Sequence, residues 1–263
     1  MVRKSQIQKA IGTVMKNMEN MNQIDQQYHL IDFHTHILPG MDDGAGDVAT
    51  STEMLNRLKQ QGVTTVVLTP HFYTDRETLS VFLERRTASF ELIQPIAEQL
   101  GIEVVPAGEM YFTDYIFNYE NILPLCIGSG RYVLTELPFS CHFTNSMFDK
   151  ISRFMGTLNV IPVLAHIERY PQLIKDEECL NRLENMGCLA QVNLGSLTDG
   201  LLQRKAILRL IREGLVHAVG TDCHNLAARP PRYRDGIQVI QKKLGDEFVE
   251  TLMNNSLQVI RGQ

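Results

Sequence analysis

The sequence predicts an α/β fold built on parallel strands, with the sheet either open or closed into a barrel. Three observations lead there. Seven short apolar runs alternate with longer amphipathic stretches, glycines stand where helices should end, and no shift in composition divides the chain after residue 29. The 263 residues allow one large domain or two small ones, and the unbroken alternation favours one.

Strands are expected at Leu30–Phe33, Thr64–Leu68, Glu103–Val105, Tyr132–Leu134, Val160–Leu164, Leu189–Val192 and Val216–Val219. Their apolar character on both faces is what a covered parallel sheet requires. The stretches Asp47–Gln61, Arg76–Leu100, Asn145–Gly156, Glu177–Met186 and Leu201–Glu213 carry helical periodicity. Gly62, Gly101, Gly187 and Gly214 each precede a strand, in the place of a helix C-terminal glycine. Residues 1–29 form an N-terminal extension. There Ile7, Ile11, Met15 and Met18 recur at helical spacing among polar residues, which fits a helix packed on the body or on a partner. An extension without fixed order is the other reading.

Hydrophobic content of 44% and charged content of 21% are ordinary for a soluble globular protein. A net charge of −5 argues against nonspecific nucleic-acid binding, which needs a basic surface. It leaves an anionic substrate open, because bound cations would reverse the local sign. The five cysteines are scattered, with no C-x-x-C pair, so neither a disulfide framework nor a thiolate zinc site is indicated. No apolar run approaches the ~20 residues needed to cross a bilayer, and no signal-peptide core is present. A cytoplasmic location without membrane insertion is expected.

The chemistry gathers at the carboxyl ends of the expected strands. The first ends in His34-Thr35-His36, whose imidazoles share a face and stand about 6–7 Å apart along a strand. Alone, that pair is equally well read as two polar residues where a strand leaves the core. The later strand ends decide the matter, adding His71, Glu109, Glu136, His166, Asp222 and His224. Such a set, contributed by several strands, is how α/β barrels build active sites. With Asp43 from the first loop there are five histidines and four carboxylates, more than one ion needs, so two or three metals are implied. Imidazole and carboxylate without thiolate suit Mn²⁺, Fe or Zn²⁺. Three divalent ions bring +6 against −4 from the carboxylates, leaving an electropositive pocket for a phosphate dianion. Arg169 and Arg229 are placed to add guanidinium forks to it, unless they make surface ion pairs. Arg232 and Arg234 read as solvated or structural charges.

Cys223 alternates away from Asp222 and His224 and reads as a packing residue. Cys126 and Arg131 are separated by one residue too few for a cysteine-phosphatase loop, so Cys126 reads as structural. No P-loop, G-x-S-x-G or helix-opening GxGxxG competes.

The blocks IDFHTHILPGMDDGA (31–45), TPH (69–71), AGEMYF (107–112), LTELPF (134–139), LAHIERY (164–170), QVNLGSL (191–197) and GTDCHNLAARPP (220–231) occur in this order. Together they resemble the polymerase-and-histidinol-phosphatase (PHP) superfamily. More narrowly, the chain is similar to the manganese-dependent tyrosine-protein phosphatases of bacterial capsule and exopolysaccharide synthesis. The resemblance implies that residues 30–263 form a PHP metallophosphatase domain, folded as a distorted seven-stranded (β/α) TIM-like barrel. It implies one metal on His34, His36, Glu109 and Asp222, and a second sharing Glu109 with Glu136 and His166. A third would sit on Asp43, His71 and His224, with Arg169 and Arg229 against the substrate phosphate. The implied substrate is a phosphotyrosine protein, the tail of a cognate bacterial tyrosine kinase, hydrolysed by direct attack of metal-bound hydroxide. A homo-oligomer is compatible with the resemblance, and the extension 1–29 is its main departure. The alternatives are a histidinol-phosphate or other small-molecule phosphoesterase and, in a different class, a noncatalytic metal-bound scaffold.

Overall fold

The computed structural model describes residues 29–263. The helix expected around Ile7, Ile11, Met15 and Met18 lies outside the described residues.

Strand β1 (Leu30–Thr35) is buried at all six positions, so both of its faces meet packed neighbours. It pairs in parallel with β2 (Val63–Leu68), which pairs in parallel with β4 (Glu103–Pro106). A second, all-parallel sheet runs in the order β3 (His71–Tyr73), β5 (Glu109–Tyr111), β6 (Tyr132–Glu136), β7 (Ile161–Leu164), β8 (Leu189–Asn193) and β9 (Ala218–Gly220). The two sheets meet at β1 and β9. Thr35 bridges Cys223 in parallel, the His36 amide donates to the Cys223 carbonyl at 3.0 Å, and the Asp222 amide donates to the His34 carbonyl at 2.8 Å.

The described residues thus hold nine strands where seven apolar runs were expected. The difference lies in the second and third runs. Pro70 has no amide hydrogen, so the ladder after β2 is interrupted and resumes at His71 as β3. Ala107 and Gly108 separate β4 from β5 in the same way. Pairing survives both breaks, because the Ala107 amide donates to Leu68 and the Glu109 amide to Pro70, each at 2.9 Å. His71 and Glu109, expected just past strand ends, therefore lie opposite each other on paired strands.

The helices follow their capping signals. Helix α1 (Val48–Gln60) begins at Asp47, whose side chain accepts the Thr50 amide. Helix α2 (Leu79–Leu100) starts later than the expected Arg76, because Thr78 caps it, and stops at left-handed Gly101. Helix α3 (Asn145–Leu158) passes the expected end at Gly156, because Asn159 takes the left-handed C-terminal position. The short α4 (Pro171–Lys175) leads into α5 (Glu177–Asn185), and α6 (Ser196–Asp199) into α7 (Leu201–Arg212). Two further helices, α8 (Arg234–Lys243) and α9 (Asp246–Arg261), follow the last strand and had no counterpart among the expected elements. They clamp its neighbour: the Tyr233 hydroxyl donates to the Ile31 carbonyl at 2.9 Å, and Met253 Sδ accepts the Ile31 amide. The core is continuous from β1 to α9, with Phe33, Phe72, Phe154, Tyr170 and Tyr233 among its largest buried side chains.

Gly220 sits where β9 passes β1. A Cβ there would lie 2.6 Å from the His34 nitrogen and 2.7 Å from its Cβ, closer than atoms can pack. Overpacking of this kind costs about 1–3 kcal/mol. Gly220→Ala should therefore lower the free energy of unfolding in urea by about that amount; an unchanged midpoint would show that β1 and β9 are not in this close contact.

Candidate metal centre

One buried cluster gathers residues from six strands and the turns that follow them, with His71 and Glu109 at the first positions of β3 and β5. β1 delivers His34 and runs directly into His36, β3 delivers His71, β5 delivers Glu109 and β6 delivers Glu136. The turns after β7 and β9 supply His166, Asp222 and His224, and the loop after β1 supplies Asp43. His34, His36 and Glu109 are completely buried, while the Asp43 side chain is 68% exposed and reaches in from the rim.

Glu109 is the hub. Its Oε2 lies 3.3 Å from His34 Nε2, 3.3 Å from His36 Nε2 and 3.0 Å from His71 Nδ1. Its Oε1 lies 3.3 Å from His166 Nε2, which is 3.4 Å from Glu136 Oε1. Asp222 Oδ1 stands 3.5 Å from His34 Nε2 and 3.4 Å from His36 Nε2. At the rim, Asp43 Oδ1 lies 3.4 Å from His224 Nε2 and 3.7 Å from His71 Nε2. All nine side chains singled out in the sequence thus stand together, and the described residues contain three overlapping groups with metal-ligand spacing. These are His36, Asp43, His71 and His224; His34, His36 and Glu109; and His71, Glu109 and Glu136.

The cluster fits cations better than it fits hydrogen bonding. Ligands held about 2.0–2.2 Å from a common ion stand roughly 3.0–3.5 Å from one another, close to the separations seen here. Both oxygens of Glu109, Nδ1 of His71, Nδ1 of His166 and Nε2 of His224 are buried without a hydrogen-bond partner. Elsewhere among the described residues that is true only of Glu168 Oε2 and Arg209 Nε. Buried polar atoms left this way ordinarily answer to something that fills the gap. Imidazole and carboxylate donors could hold Mn²⁺, Fe or Zn²⁺. The intervening Cys223 is fully buried, and burial drives its thiol pKa well up, in keeping with a packing role.

Beside the cluster lies a polar pocket bounded by Arg169, Asn193, Ser196, Thr221, Asp222 and Arg229. Arg169 and Arg229 approach Asp222 Oδ2 at 3.1 and 2.7 Å, with each guanidinium side chain about one-third exposed. Asp222 therefore offers one oxygen to the histidines and the other to the arginines. Arg232 pairs with Asp199 on the surface, and Arg234 bonds the carbonyls of Gln60 and Gln61, as the structural reading of both expected.

The sequence pattern of the CpsB/CapC family, described as capsular polysaccharide synthesis, matches residues 30–261. The chain belongs to the CpsB/CapC family. It is 31% identical over 244 residues to the tyrosine-protein phosphatase YwqE of Bacillus subtilis, covering 89% of this chain and 92% of that protein. It is 30% identical over 250 residues to the tyrosine-protein phosphatase CpsB of Streptococcus pneumoniae, covering 89% and 99%. A solved structure from work on YwqE and CpsB, described as unique metal-dependent tyrosine phosphatases, superposes with a TM-score of 0.75. That match has 28% identity and covers 89% of this chain and 95% of the other. A lactonase from Listeria monocytogenes shares the fold at a TM-score of 0.55 and 12% identity.

In this CpsB/CapC chain, several residues that orient the cluster had no role in the sequence reading. Asp42 Oδ2 accepts His36 Nδ1 at 2.7 Å and the His71 amide at 2.8 Å, while its Oδ1 accepts the Gly44 amide. Gln191 Oε1 accepts the His166 amide at 2.7 Å and lies 3.2 Å from His34 Nδ1. Asn193 donates to Asp222 Oδ2 at 2.8 Å, and Asp32 accepts both the amide and the hydroxyl of Thr221. The available signal was polarity out of place: Asp32, Gln191 and Asn193 stand in strands that are otherwise apolar. His166 and Asp222 also take left-handed φ of 35° and 52°, a strain of about 1–3 kcal/mol per residue that clusters at functional sites.

Charge inside the cluster is balanced by mutual contact. Burial opposes ionisation of Glu109 and Asp222, yet the neighbouring histidines hold both well below the usual carboxylate range. Burial likewise lowers His36, but the Asp42 charge with the contacts to Asp222 and Glu109 raises it well above the usual value. His166 is lowered by burial and carried up to about 9 by Glu109 and Glu136. The same carboxylate contacts favour the protonated form of both imidazoles, whereas a metal requires them neutral.

Uptake of a divalent ion should therefore release protons at pH 7, and affinity should climb as pH rises towards about 9. Calorimetry in buffers of different ionisation enthalpy reads this directly; binding without proton release would contradict it. Replacing the orienting carboxylate, Asp42→Asn, should weaken metal binding about 10- to 100-fold in competition with a chelating indicator. Equal affinity would remove Asp42 from this role.

Proposed function

We propose that this protein is a metal-dependent protein-tyrosine phosphatase, with a phosphotyrosine protein as substrate. The observation that carries the reading is the joining of two features through Asp222. One is a buried imidazole–carboxylate cluster with orphaned ligand atoms, and the other is a pair of guanidinium groups at its edge. The names of the similar proteins support the same reaction.

His34, His36, Glu109 and Asp222 would hold one ion; Glu109, Glu136 and His166 a second; and Asp43, His71 and His224 a third. The overlap of the three spatial groups supports shared ligands between neighbouring ions. Mn²⁺ is our choice of metal, following the resemblance to manganese-dependent tyrosine phosphatases; the four carboxylates of the cluster are compatible with it. Bound divalent ions would supply Lewis acidity towards phosphoryl oxygens and lower the pKa of water.

The protein's own part is positioning. Arg169 and Arg229, now turned to Asp222 Oδ2, present planar donor forks to an incoming phosphate dianion. Asn193 keeps Asp222 in place as the arginines turn, because it holds the same oxygen independently. Burial of the histidines and Glu109 limits bulk water at the cluster and strengthens each interaction there. Asp43, exposed at the rim, leaves the cluster open to solvent on that side.

Residues 30–263 would form a single metallophosphatase domain. The β1–β9 contact supports a distorted TIM-like barrel of the PHP type, with β2–β3 and β4–β5 each counting as one broken stave. The substrate we favour is the phosphorylated tail of a capsule tyrosine kinase. Five free cysteines fit a reducing cytoplasm, and no helix among the described residues is long and apolar enough to cross a membrane.

With Mn²⁺ the protein should hydrolyse a phosphotyrosine peptide, and a chelator should abolish the reaction until the metal is restored. His36→Ala and Asp222→Ala should each reduce turnover to background while retaining the circular-dichroism spectrum. Full activity in either variant refutes the metal assignment. Equal or faster turnover of histidinol phosphate would replace the tyrosine phosphatase reading with a small-molecule one.

A further inference from the structure

We propose that Phe139 is a specificity-determining residue that stacks on the aromatic ring of the substrate and selects aryl over alkyl phosphate esters. The inference rests on the phosphatase reading above and deepens it.

Two exposed large aromatic side chains occur among the described residues, Tyr115 and Phe139. A single exposed aromatic is unremarkable; the position of Phe139 is not. It lies three residues beyond Glu136, at the end of β6, and is 55% exposed. Its ring centroid is 5.8 Å from that of His166 and 5.8 Å from that of Tyr170, tilted by 36° and 33°. The Arg169 guanidinium carbon stands 5.8 Å from the same ring. One face of the phenyl group is thus packed on the wall of the cluster, and over half of its surface remains open.

Its mounting is rigid. The Tyr170 hydroxyl donates to the Leu137 carbonyl at 2.6 Å and accepts the Leu137 amide at 3.0 Å. Pro138 fixes the next backbone angle, and the Cys141 amide closes the turn onto the Pro138 carbonyl at 2.7 Å. A large apolar ring is therefore held at the lip by a turn that cannot easily swing it into the core.

The substrate chemistry supplies what this ring lacks. In an aryl phosphate, the aromatic ring begins one bridging oxygen from phosphorus. With phosphate held by Arg169 beside the cluster, the ring must leave past the residues that flank Arg169 and His166. Phe139 flanks both. Offset or edge-to-face packing is the geometry such rings prefer at centroid separations of about 4.5–7 Å. The aromatic on the opposite side, Tyr73, has its ring covered by Arg76 at 3.9 Å and tilted by 50° against Tyr111 at 5.5 Å.

The test compares kcat/KM on a phosphotyrosine peptide and on β-glycerophosphate, in the Mn²⁺-loaded protein, for wild type, Phe139→Ala, Phe139→Leu and Phe139→Trp. The aryl-to-alkyl ratio should fall about two- to tenfold in the Ala and Leu variants, chiefly through KM, and return in the Trp variant. A merely structural role would lower both substrates together and leave the ratio unchanged, which overturns the proposal. A selective loss in Tyr73→Leu but not in Phe139→Ala also overturns it, by placing the ring on the other side. A wild-type protein that hydrolyses neither phosphotyrosine nor any aryl phosphate overturns the phosphatase reading itself, and this inference with it.

Discussion

Nine ionisable side chains drawn to one end of a sheet must have their charges balanced, and much of this structure follows from that constraint. Desolvating an uncompensated carboxylate or imidazolium costs several kcal/mol, enough to consume a domain's stability. Glu109 meets the constraint by sitting within 3.3 Å of four imidazoles, from β1, from the residue that follows it, from β3 and from the turn after β7. Only a parallel arrangement, with every strand pointing the same way, can bring so many strand ends to one carboxylate. The broken strands belong to the same solution. By resuming at β3 and β5, the ladder keeps His71 and Glu109 in register, where loops would have let them drift.

Much of this was legible in the sequence because parallel strands and ligand spacing leave periodic traces. The apolar runs located seven strand positions, the residue types at their ends located eight members of the cluster, and the first loop supplied Asp43. What escaped has physical causes. The interruption at Pro70 was read as the end of a strand, since a missing amide gives no sign that pairing resumes at the next residue. The end of α3 was placed at Gly156 because glycine is the common left-handed residue, whereas Asn159 fills that position. The two C-terminal helices were passed over, although Tyr233 and Met253 hold β1 from behind. Asp42 was overshadowed by Asp43, its neighbour in sequence. Which of two adjacent carboxylates faces the cluster and which braces a histidine depends on a turn that spacing alone does not define.

Asp222 links structure to chemistry through its two oxygens. Oδ1 faces His34 and His36, while Oδ2 gathers Arg169, Arg229 and Asn193. Its left-handed backbone, at φ 52°, keeps it off the extended path that would carry the side chain onward with the strand. The arginines are thereby stationed at the cluster before any phosphate arrives. On the reading proposed above, an incoming phosphate would have to displace this ion pair. Because both guanidiniums are about one-third exposed, that pair is weakened by water, and a dianion presents more charge than one shared carboxylate oxygen. Under that reading the exchange would favour the substrate.

The shared fold does not by itself choose this chemistry. A lactonase superposes over 91% of the chain at 12% identity, so the same fold accompanies a different named activity. The cluster alone is equally permissive, since imidazole and carboxylate ligands can serve many hydrolytic reactions. Discrimination must come from side chains that stand beyond the ligands and meet the substrate. In this chain those are cationic forks from the turns after β7 and β9, and an aromatic ring from the turn after β6. On the proposed reading, the forks would meet the phosphate and the ring the aryl group. Their common boundary is His166, which packs on Phe139 and approaches Glu109 and Glu136. On the reading proposed above, a substrate satisfying both carries phosphate directly on an aromatic ring, as phosphotyrosine does.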